Sequence, residues 1–556
     1  MRISIALAMF AVIGCGGPAE GSKNPTAAGS GSGGPKSAMP GDVSFEIPPI
    51  ELKGTILEPD ALGRPGMPLV NAKRAVSLVK QRQVFATTKN PVEKEAQAAI
   101  LATLLYQQSK AQTGDEQQKS LTEARQALRD AAALSGAKVD EVTLRLLGSY
   151  ELMFNDYAAA EKAWGDLVVA APKDPNIAIN RAWWAFSLLK EYKTAEALAA
   201  VNAQPATATT PELAYVTAWA KFRANDGPGA WDAIVLAEQG WGSMAGRDVL
   251  DRETLIMFAG RTHVPMATAM PKLQQMFGNS PQQQYAILAK LGQQSYQFAG
   301  RWADAVAAID QAIALMGPKV PADDLVYLRY QEADYLVRLD DPVAAATHAK
   351  EALAAMPACG IKCSSKDIEN VVEGAFIMGK LFHILYATAN DYRFYDPAHD
   401  LYSATQPLLV SNNEMRAEAG KNLTILEATL KGMKHDVGTH DKAAIGALLG
   451  RHNQEALACY EQYASGNPKL GGNVVLKLES DETGVMRGVT TEPKAGMADL
   501  AAVAGCIADF AKTWKLPKHP LKGVTRISMT YSLSAKPPAP APSVGAKPAA
   551  GAAATK

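Results

Sequence analysis

Three similar segments follow one another between residues 147 and 235: LGSYELMFNDYAAAEKAW (147–164), AWWAFSLLKEYKTAEALA (182–199) and AWAKFRANDGPGAWDAIV (218–235). Each is typical of two short helices joined by a turn, and the turn positions Tyr157, Tyr192 and Gly227 lie 35 residues apart. A hairpin of this size cannot bury its apolar face alone. The period therefore predicts stacked hairpins, each completing the core of the next. A generic helical bundle with a chance period stays open as the alternative.

A small residue stands three places after each turn position, where the two helices of a hairpin would cross; these are Ala160, Ala195 and Ala230. The first segment adds Gly148 on its first helix, Trp164 on its second and Pro172 beyond it. In these positions the chain resembles the tetratricopeptide repeat, which implies an α-solenoid. Apolar residues at helical spacing continue on both sides, so we expect a mainly α repeat domain over residues 70–435.

The first helices of tetratricopeptide repeats line the concave face of the solenoid. The resemblance therefore implies a partner-binding groove lined by six side chains: Arg145, Asn180, Trp184, Tyr215, Trp219 and Phe222. Aromatic rings on such a face suit an extended peptide or a partner helix. The alternative, that the same rings pack between repeats, stays open.

Residues 440–534 follow a different pattern. A helix over 441–464 precedes a hairpin with its turn at 481–484, a second helix and a strand near 525–533, which predicts a small α+β domain. The stretches 456–486 and 503–533, with Cys459-Tyr460-Glu461, Gly471-Gly472, Cys506-Ile507 and Trp514, resemble the AgmX/PglI C-terminal domain, a TonB-C-like module. The resemblance implies an envelope role in motility or in the assembly of surface structures, and no chemistry.

The chain has five cysteines, which fit an oxidising compartment. Cys459 and Cys506 lie on the inner faces of two helices that pack on one sheet, which favours a disulfide. Cys359 and Cys363 are close enough in the chain to bridge a turn between helices. A metal site would need a second nearby pair, and three residues between the cysteines is not the spacing of a redox motif.

Residues 1–15 have the features of a cleaved export signal. Arg2 supplies the positive start, Ile3 to Ile13 form an apolar segment too short to span a bilayer, and Val12-Ile13-Gly14-Cys15 resembles the bacterial lipobox. The resemblance implies acylation of Cys15, and an ordinary signal in which Cys15 is incidental stays open. Gly16 at the next position favours the outer membrane by family analogy.

Two segments have the composition of flexible chain. Residues 16–69 begin with a run of Gly, Ser, Pro and Ala and are expected to form a tether, and residues 535–556 are expected to form a disordered tail rich in Pro and Ala. Neither segment has enough apolar residues to form a core of its own.

The composition and motifs exclude some functions and leave others open. Basic and acidic residues are equal in number, 56 each, so nothing favours nucleic acid. No phosphate-binding loop, nucleophile elbow or paired histidine helix occurs, and we predict no catalytic residue, metal site or cofactor. His435 and His440 lie in a segment expected to be a solvated linker. An envelope enzyme, or an accessory subunit with its site in the helical array, remains the alternative.

The sequence therefore predicts a lipid-anchored scaffold of the cell envelope, facing the periplasm from the outer membrane. Its partners would be proteins or peptides, with the repeats and the terminal module each binding one.

Overall fold

The computed structural model describes residues 42–60, 62, 77–203, 209–242, 252–360, 363–430, 440–493 and 498–536, all within one compact unit. The described residues between 78 and 430 form mostly helices, many of them paired in antiparallel hairpins, which confirms the expected helical repeats. The helices are α1 (Leu78–Thr87), α2 (Pro91–Ser109), α3 (Gly114–Ser135), α4 (Glu141–Met153), α5 (Tyr157–Ala170), α6 (Ile177–Lys190), α7 (Thr194–Asn202), α8 (Pro211–Arg223), α9 (Gly227–Gly242), α10 (Arg252–Arg261), α11 (Met266–Phe277), α12 (Pro281–Lys290), α13 (Trp302–Met316), α14 (Ala322–Arg338), α15 (Pro342–Cys359), α16 (Ser365–Ala389), α17 (Tyr395–Thr405) and α18 (Asn413–Leu430).

The hairpin turns share a backbone conformation. A residue with positive φ ends the first helix of successive hairpins, as left-handed helix caps do; these residues are Asn155, Tyr192, Asn225, His263, Gly300, Asp340 and Asn390. Five places after five of these turns stands an alanine that is fully buried where the two helices cross: Ala160, Ala197, Ala230, Ala305 and Ala345. We call the turns at Asn225, His263, Gly300, Asp340 and Asn390 the turn row.

The turns correct the alignment of the second repeat. From Asn155 to Tyr192 is 37 residues and from Tyr192 to Asn225 is 33, so two unequal intervals average to the 35 seen in the sequence. The crossing alanine of the second hairpin is Ala197, whereas the expected Ala195 is exposed. Assignments made from the sequence in that repeat are therefore displaced by two residues.

A glycine seven residues before the first turn lets the two helices approach. A Cβ on Gly148 would lie 2.6 Å from the Trp164 ring. In the hairpin of α12 and α13 the same place is taken by Gly292, whose Cβ would lie 2.5 Å from Ile309. Gly292 stands eight residues before its turn because the π-helical segment Leu291–Tyr296 inserts one residue.

Two parts of the array differ from the expected pattern. The hairpin of α10 and α11 was not predicted, and the array ends in three helices, α16 to α18, instead of a pair. The segment Lys366–Ala389 is long and apolar enough to cross a membrane, but 56% of its most apolar window is buried, as in a core helix.

The C-terminal module contains α19 (Lys442–Gly450), α20 (Asn453–Ala464), β3 (Gly472–Ser480), β4 (Met486–Pro493), α21 (Ala498–Ala511) and β5 (Thr525–Lys536). The predicted α+β order is confirmed, although the first helix is broken in two between Gly450 and Asn453. β3 pairs antiparallel with both β4 and β5. One buried apolar cluster joins α14 to α18 with the module, so the array and the module share a core.

The expected tether over residues 16–69 needs correction. β1 (Val43–Glu46) and β2 (Ile50–Thr55) pair in parallel with β5 along its outer edge, on either side of Pro48-Pro49. The sheet therefore has the order β1 and β2, then β5, β3 and β4. We call residues 42–60 and 62 the arm; its two strands form because β5, far away in the chain, supplies their partner. The signal segment with Cys15 and the tail from 537 lie outside the described residues.

Candidate interaction site

Helix α20 lies across the turn row and contacts its turns in reverse chain order. Gln462 donates to Asn225 (2.9 Å), and the Nε2 of Gln454 donates to the carbonyl of Phe298 (3.3 Å). Just before the helix, the carbonyl of Arg451 accepts from Arg338 (2.7 Å). The module therefore binds the ends of successive hairpins and is not a free second domain.

The carboxylate of Glu455 links three elements in the middle of this contact. It accepts from the indole nitrogen of Trp302 on α13 (2.5 Å) and from that of Trp514 after α21 (2.5 Å). The Nδ1 of His452 lies 3.1 Å from the same carboxylate, and its ring stacks on Trp514 at 4.5 Å. Glu455 is 3% exposed, so this carboxylate is satisfied by protein groups inside the shared core.

Glu461, six residues further along α20, joins the arm to both the module and the array. Its Oε2 accepts from Arg261 at the end of α10 (2.8 Å), and its Oε1 accepts from the backbone nitrogen of Thr55 (2.8 Å). Gly54 passes beneath Tyr460, where a Cβ would lie 2.6 Å from the ring. The arm thus fits a space that admits backbone but no side chain at this position.

Beyond β2 the arm continues onto the repeats. The backbone nitrogen of Leu57 donates to Ser465 Oγ (3.0 Å), and the carbonyl of Leu57 accepts from Arg223 Nη2 (3.3 Å). The hydroxyl of Tyr215 donates to the carbonyl of Asp60 (3.4 Å). Ile56 and Leu62 are buried at either end of this segment. An extended stretch of the chain is therefore held as a bound peptide would be.

The carboxylate of Glu58 is the charged anchor of this segment. It accepts from Lys190 and from the hydroxyl of Tyr192. Burial alone would raise the pKa of Glu58, but these hydrogen bonds and the nearby cations lower it. The guanidinium of Arg223 lies 4.9 Å from the centre of the Tyr192 ring, and burial lowers the pKa of Arg223 to about 10. The site therefore has two cations that need an anion.

The six residues predicted to line a groove do not form an open surface. Tyr215, Trp219 and Phe222 are buried, and no residue of α6 or α8 is exposed. The rings of Trp219 and Phe222 are 5.8 Å apart and both contact Phe258 on α10. These aromatics pack between repeats, which was the alternative interpretation.

The other three predicted groove residues are also engaged within the array. Arg145 pairs with Asp174, which also accepts from Asn180 (3.0 Å). Trp184 lies against Gly165. The two-residue displacement of the second repeat means that Phe186, and not Trp184, occupies the position predicted for the groove. Of the six, Tyr215 donates a hydrogen bond to an extended segment of the chain, the arm. The residues that hold the arm, Lys190, Tyr192 and Arg223, were not predicted, since nothing in the local sequence indicates their distant partner.

Both predicted cysteine pairs are bonded in the structure. Cys459–Cys506 joins α20 to α21 and Cys359–Cys363 closes the end of α15, with Cα atoms 5.8 and 5.7 Å apart.

An open cleft of about 520 Å³ lies beside Cys506. Among its described lining residues only Asp509 carries a carboxylate, so the cleft offers no pair of acids for catalysis.

One cluster has the residue types of a metal site. Asp310, Glu332 and His348 each place a ligand atom within 4.8 Å of the others. Nη1 of Arg329 lies between them, at 3.1, 2.7 and 3.1 Å respectively, and is the cation that balances the cluster. Burial raises the pKa of Glu332 to about 8.

His440 does not lie in a solvated loop, contrary to expectation. It is buried, and its ring centre is 5.1 Å from that of His519. Burial lowers the pKa of His440 to about 4, so the ring is neutral near pH 7.

No protein-family model and no curated protein sequence matches the chain. Solved structures do match, among them the apo form of the quorum sensor NprR from B. thuringiensis. That alignment has 13% identity and covers 63% of this chain and 99% of NprR, with a TM-score of 0.24. At this score the likeness carries no functional argument.

Proposed function

We propose that this chain is a protein-binding scaffold of the bacterial cell envelope. The observation that carries the proposal is the mode in which the array and the sheet hold the arm: by strand pairing, by hydrogen bonds to its backbone and by a pocket for one carboxylate. These are the means by which proteins bind extended peptides of other proteins. The array, the module and the arm would act as one body.

The envelope location rests on the sequence. The lipobox-like segment supports acylation of Cys15, and a site at the outer membrane facing the periplasm follows from Gly16 by analogy. Two disulfides in the structure support an oxidising compartment. The resemblance of residues 456–533 to the AgmX/PglI module supports a role in gliding motility or in the assembly of surface structures.

Site-specific photo-crosslinking in cells tests this function. A photoreactive residue would replace Val169 or Val410, which are strongly exposed on the array. We expect a reproducible protein adduct that is lost when Cys15→Ser prevents acylation. Adducts only with glycans or lipids, or a natural chain found in the soluble fraction, would contradict the proposal.

A further inference from the structure

We infer that the surface holding residues 56–62 is a binding site for an extended acidic peptide of a partner protein, and that the arm occupies this site when the partner is absent. The inference rests on the proposed scaffold function and specifies its site and its ligand. Three features support it: the hydrogen bonds from the site to the arm backbone, the side chains that the site selects, and the weak pairing of the arm with the sheet.

The hydrogen bonds to the arm are of a kind that any extended segment can make. Ser465 accepts from the backbone nitrogen of Leu57, Arg223 donates to its carbonyl, and Tyr215 donates to the carbonyl of Asp60. None of these three contacts depends on the identity of the arm side chain. A different peptide in the same conformation would keep them all.

Selectivity comes from one acid and two apolar anchors. Lys190 and Tyr192 bind the carboxylate of Glu58, and Arg223 lies over the Tyr192 ring. Arg223 is only 5% exposed when the arm is bound, so a basic or neutral side chain in place of Glu58 would leave this buried charge unbalanced. Ile56 and Leu62 are buried two residues before and four residues after Glu58. The partner peptide should repeat this spacing of an apolar residue, an acid and an apolar residue.

The arm is less firmly integrated than the rest of the sheet. β3 and β5 align nine consecutive residue pairs in antiparallel register, whereas β1 and β2 contribute four and six parallel pairs. Parallel pairing is slightly weaker per residue, and the two strands are separated at Pro48-Pro49. Most side chains of β1 and β2 are exposed or half-buried. Release of the arm would bare the edge of β5, which can then pair with a strand of the same partner.

Binding in trans must compete with the tethered arm. A segment joined to its site by a short connection has an effective concentration of about a millimolar. The apparent affinity for a free peptide is reduced by the fraction of chains in which the arm is bound. A variant that weakens the arm and leaves the site intact should therefore bind the peptide more tightly.

The probe is a fluorescent peptide with the sequence of residues 50–62, IELKGTILEPDAL, titrated with the full chain and followed by anisotropy. We expect Glu58→Gln, which removes the arm's own charge, to bind this peptide about tenfold more tightly than the natural chain. A matched peptide with Gln in place of the acid should bind the variant about tenfold more weakly. Glu51→Gln, which alters an exposed carboxylate of the same arm, should behave like the natural chain.

Adding Lys190→Gln to the Glu58→Gln chain should remove the preference for the acidic peptide over its Gln form. If Glu58→Gln does not fold, Leu62→Ala weakens the arm at the far end of the site and replaces it in the same assay. A folded variant that binds the peptide no better than the natural chain, or binds both peptides equally, overturns the inference and makes the arm a permanent strand. Protein adducts from Val169 or Val410 that persist in that case would leave the scaffold function standing.

Discussion

Replacing Glu455 with Ala should loosen the module from the array. The change deletes the acceptor of two indole N–H groups, those of Trp302 and Trp514, in a place that water does not reach. A hydrogen bond to a charged acceptor contributes about 1.5 to 3 kcal/mol, so two of them amount to about 3 to 6 kcal/mol in the free energy of unfolding. The matched control is Glu492→Ala on β4, whose carboxylate is 59% exposed and should change stability by no more than about 0.5 kcal/mol.

Urea unfolding followed by tryptophan fluorescence and by far-UV circular dichroism measures this effect. Because one buried apolar cluster joins α14 to α18 with the module, we expect the module and these helices of the natural chain to unfold in the same transition, and we expect a much lower midpoint of that transition for Glu455→Ala. Combining Glu455→Ala with Trp302→Phe should cost clearly less than the sum of the two changes, since they share one hydrogen bond. A midpoint for Glu455→Ala equal to that of the control would refute the reasoning.

Three further outcomes are expected. Gly54→Ala should expose the arm to limited proteolysis because its Cβ would meet Tyr460, whereas Gly505→Ala, with open space around it, should leave cleavage unchanged; equal cleavage would argue against close docking. Replacing both Cys459 and Cys506 with Ser opens a 47-residue loop and should reduce stability by about 4 kcal/mol in calorimetry, and a loss under 1 kcal/mol would count against it. Burial raises the pKa of Glu332 to about 8, above its unfolded value of 4.5, so the native state loses stability as the pH rises between these two values. The melting temperature of Glu332→Gln, relative to that of the natural chain, should therefore increase from pH 5 to pH 9. A difference that stays constant with pH would contradict this.

The helical hairpins could be predicted because their signal is local. Apolar periodicity within about 35 residues is enough to identify most pairs, and the small residue at the crossing was identified correctly in the first and third repeats, at Ala160 and Ala230. The lengths of the individual repeats could not be predicted, because an interval of 37 residues followed by one of 33 has the same average as two intervals of 35. That displacement put Trp184 on the wrong face. The hairpin of α10 and α11 was not predicted, and α11 contains Pro271, a residue that disfavours a helix interior.

The arm could not be predicted for a different reason. VSFE and IELKGT alternate as strands do, but they are short, and they follow a segment rich in Gly, Ser and Pro. A strand is stable only with a partner, and theirs lies at the other end of the chain. The carboxylate pocket has the same property, since Glu58 and Tyr192 meet across 134 residues. Pattern analysis within a window does not detect either.

The pairing of the arm with β5 also constrains how the protein is made. Asp42 accepts from the backbone of Val524 (3.1 Å), and 482 residues separate the two. During synthesis the arm therefore emerges long before its partner strand. We expect closure of the sheet to be the final and slowest step of maturation, because contacts so distant in the chain form late. Until then the unpaired edge of β5 is open to aggregation, so we expect the newly made chain to depend on chaperones.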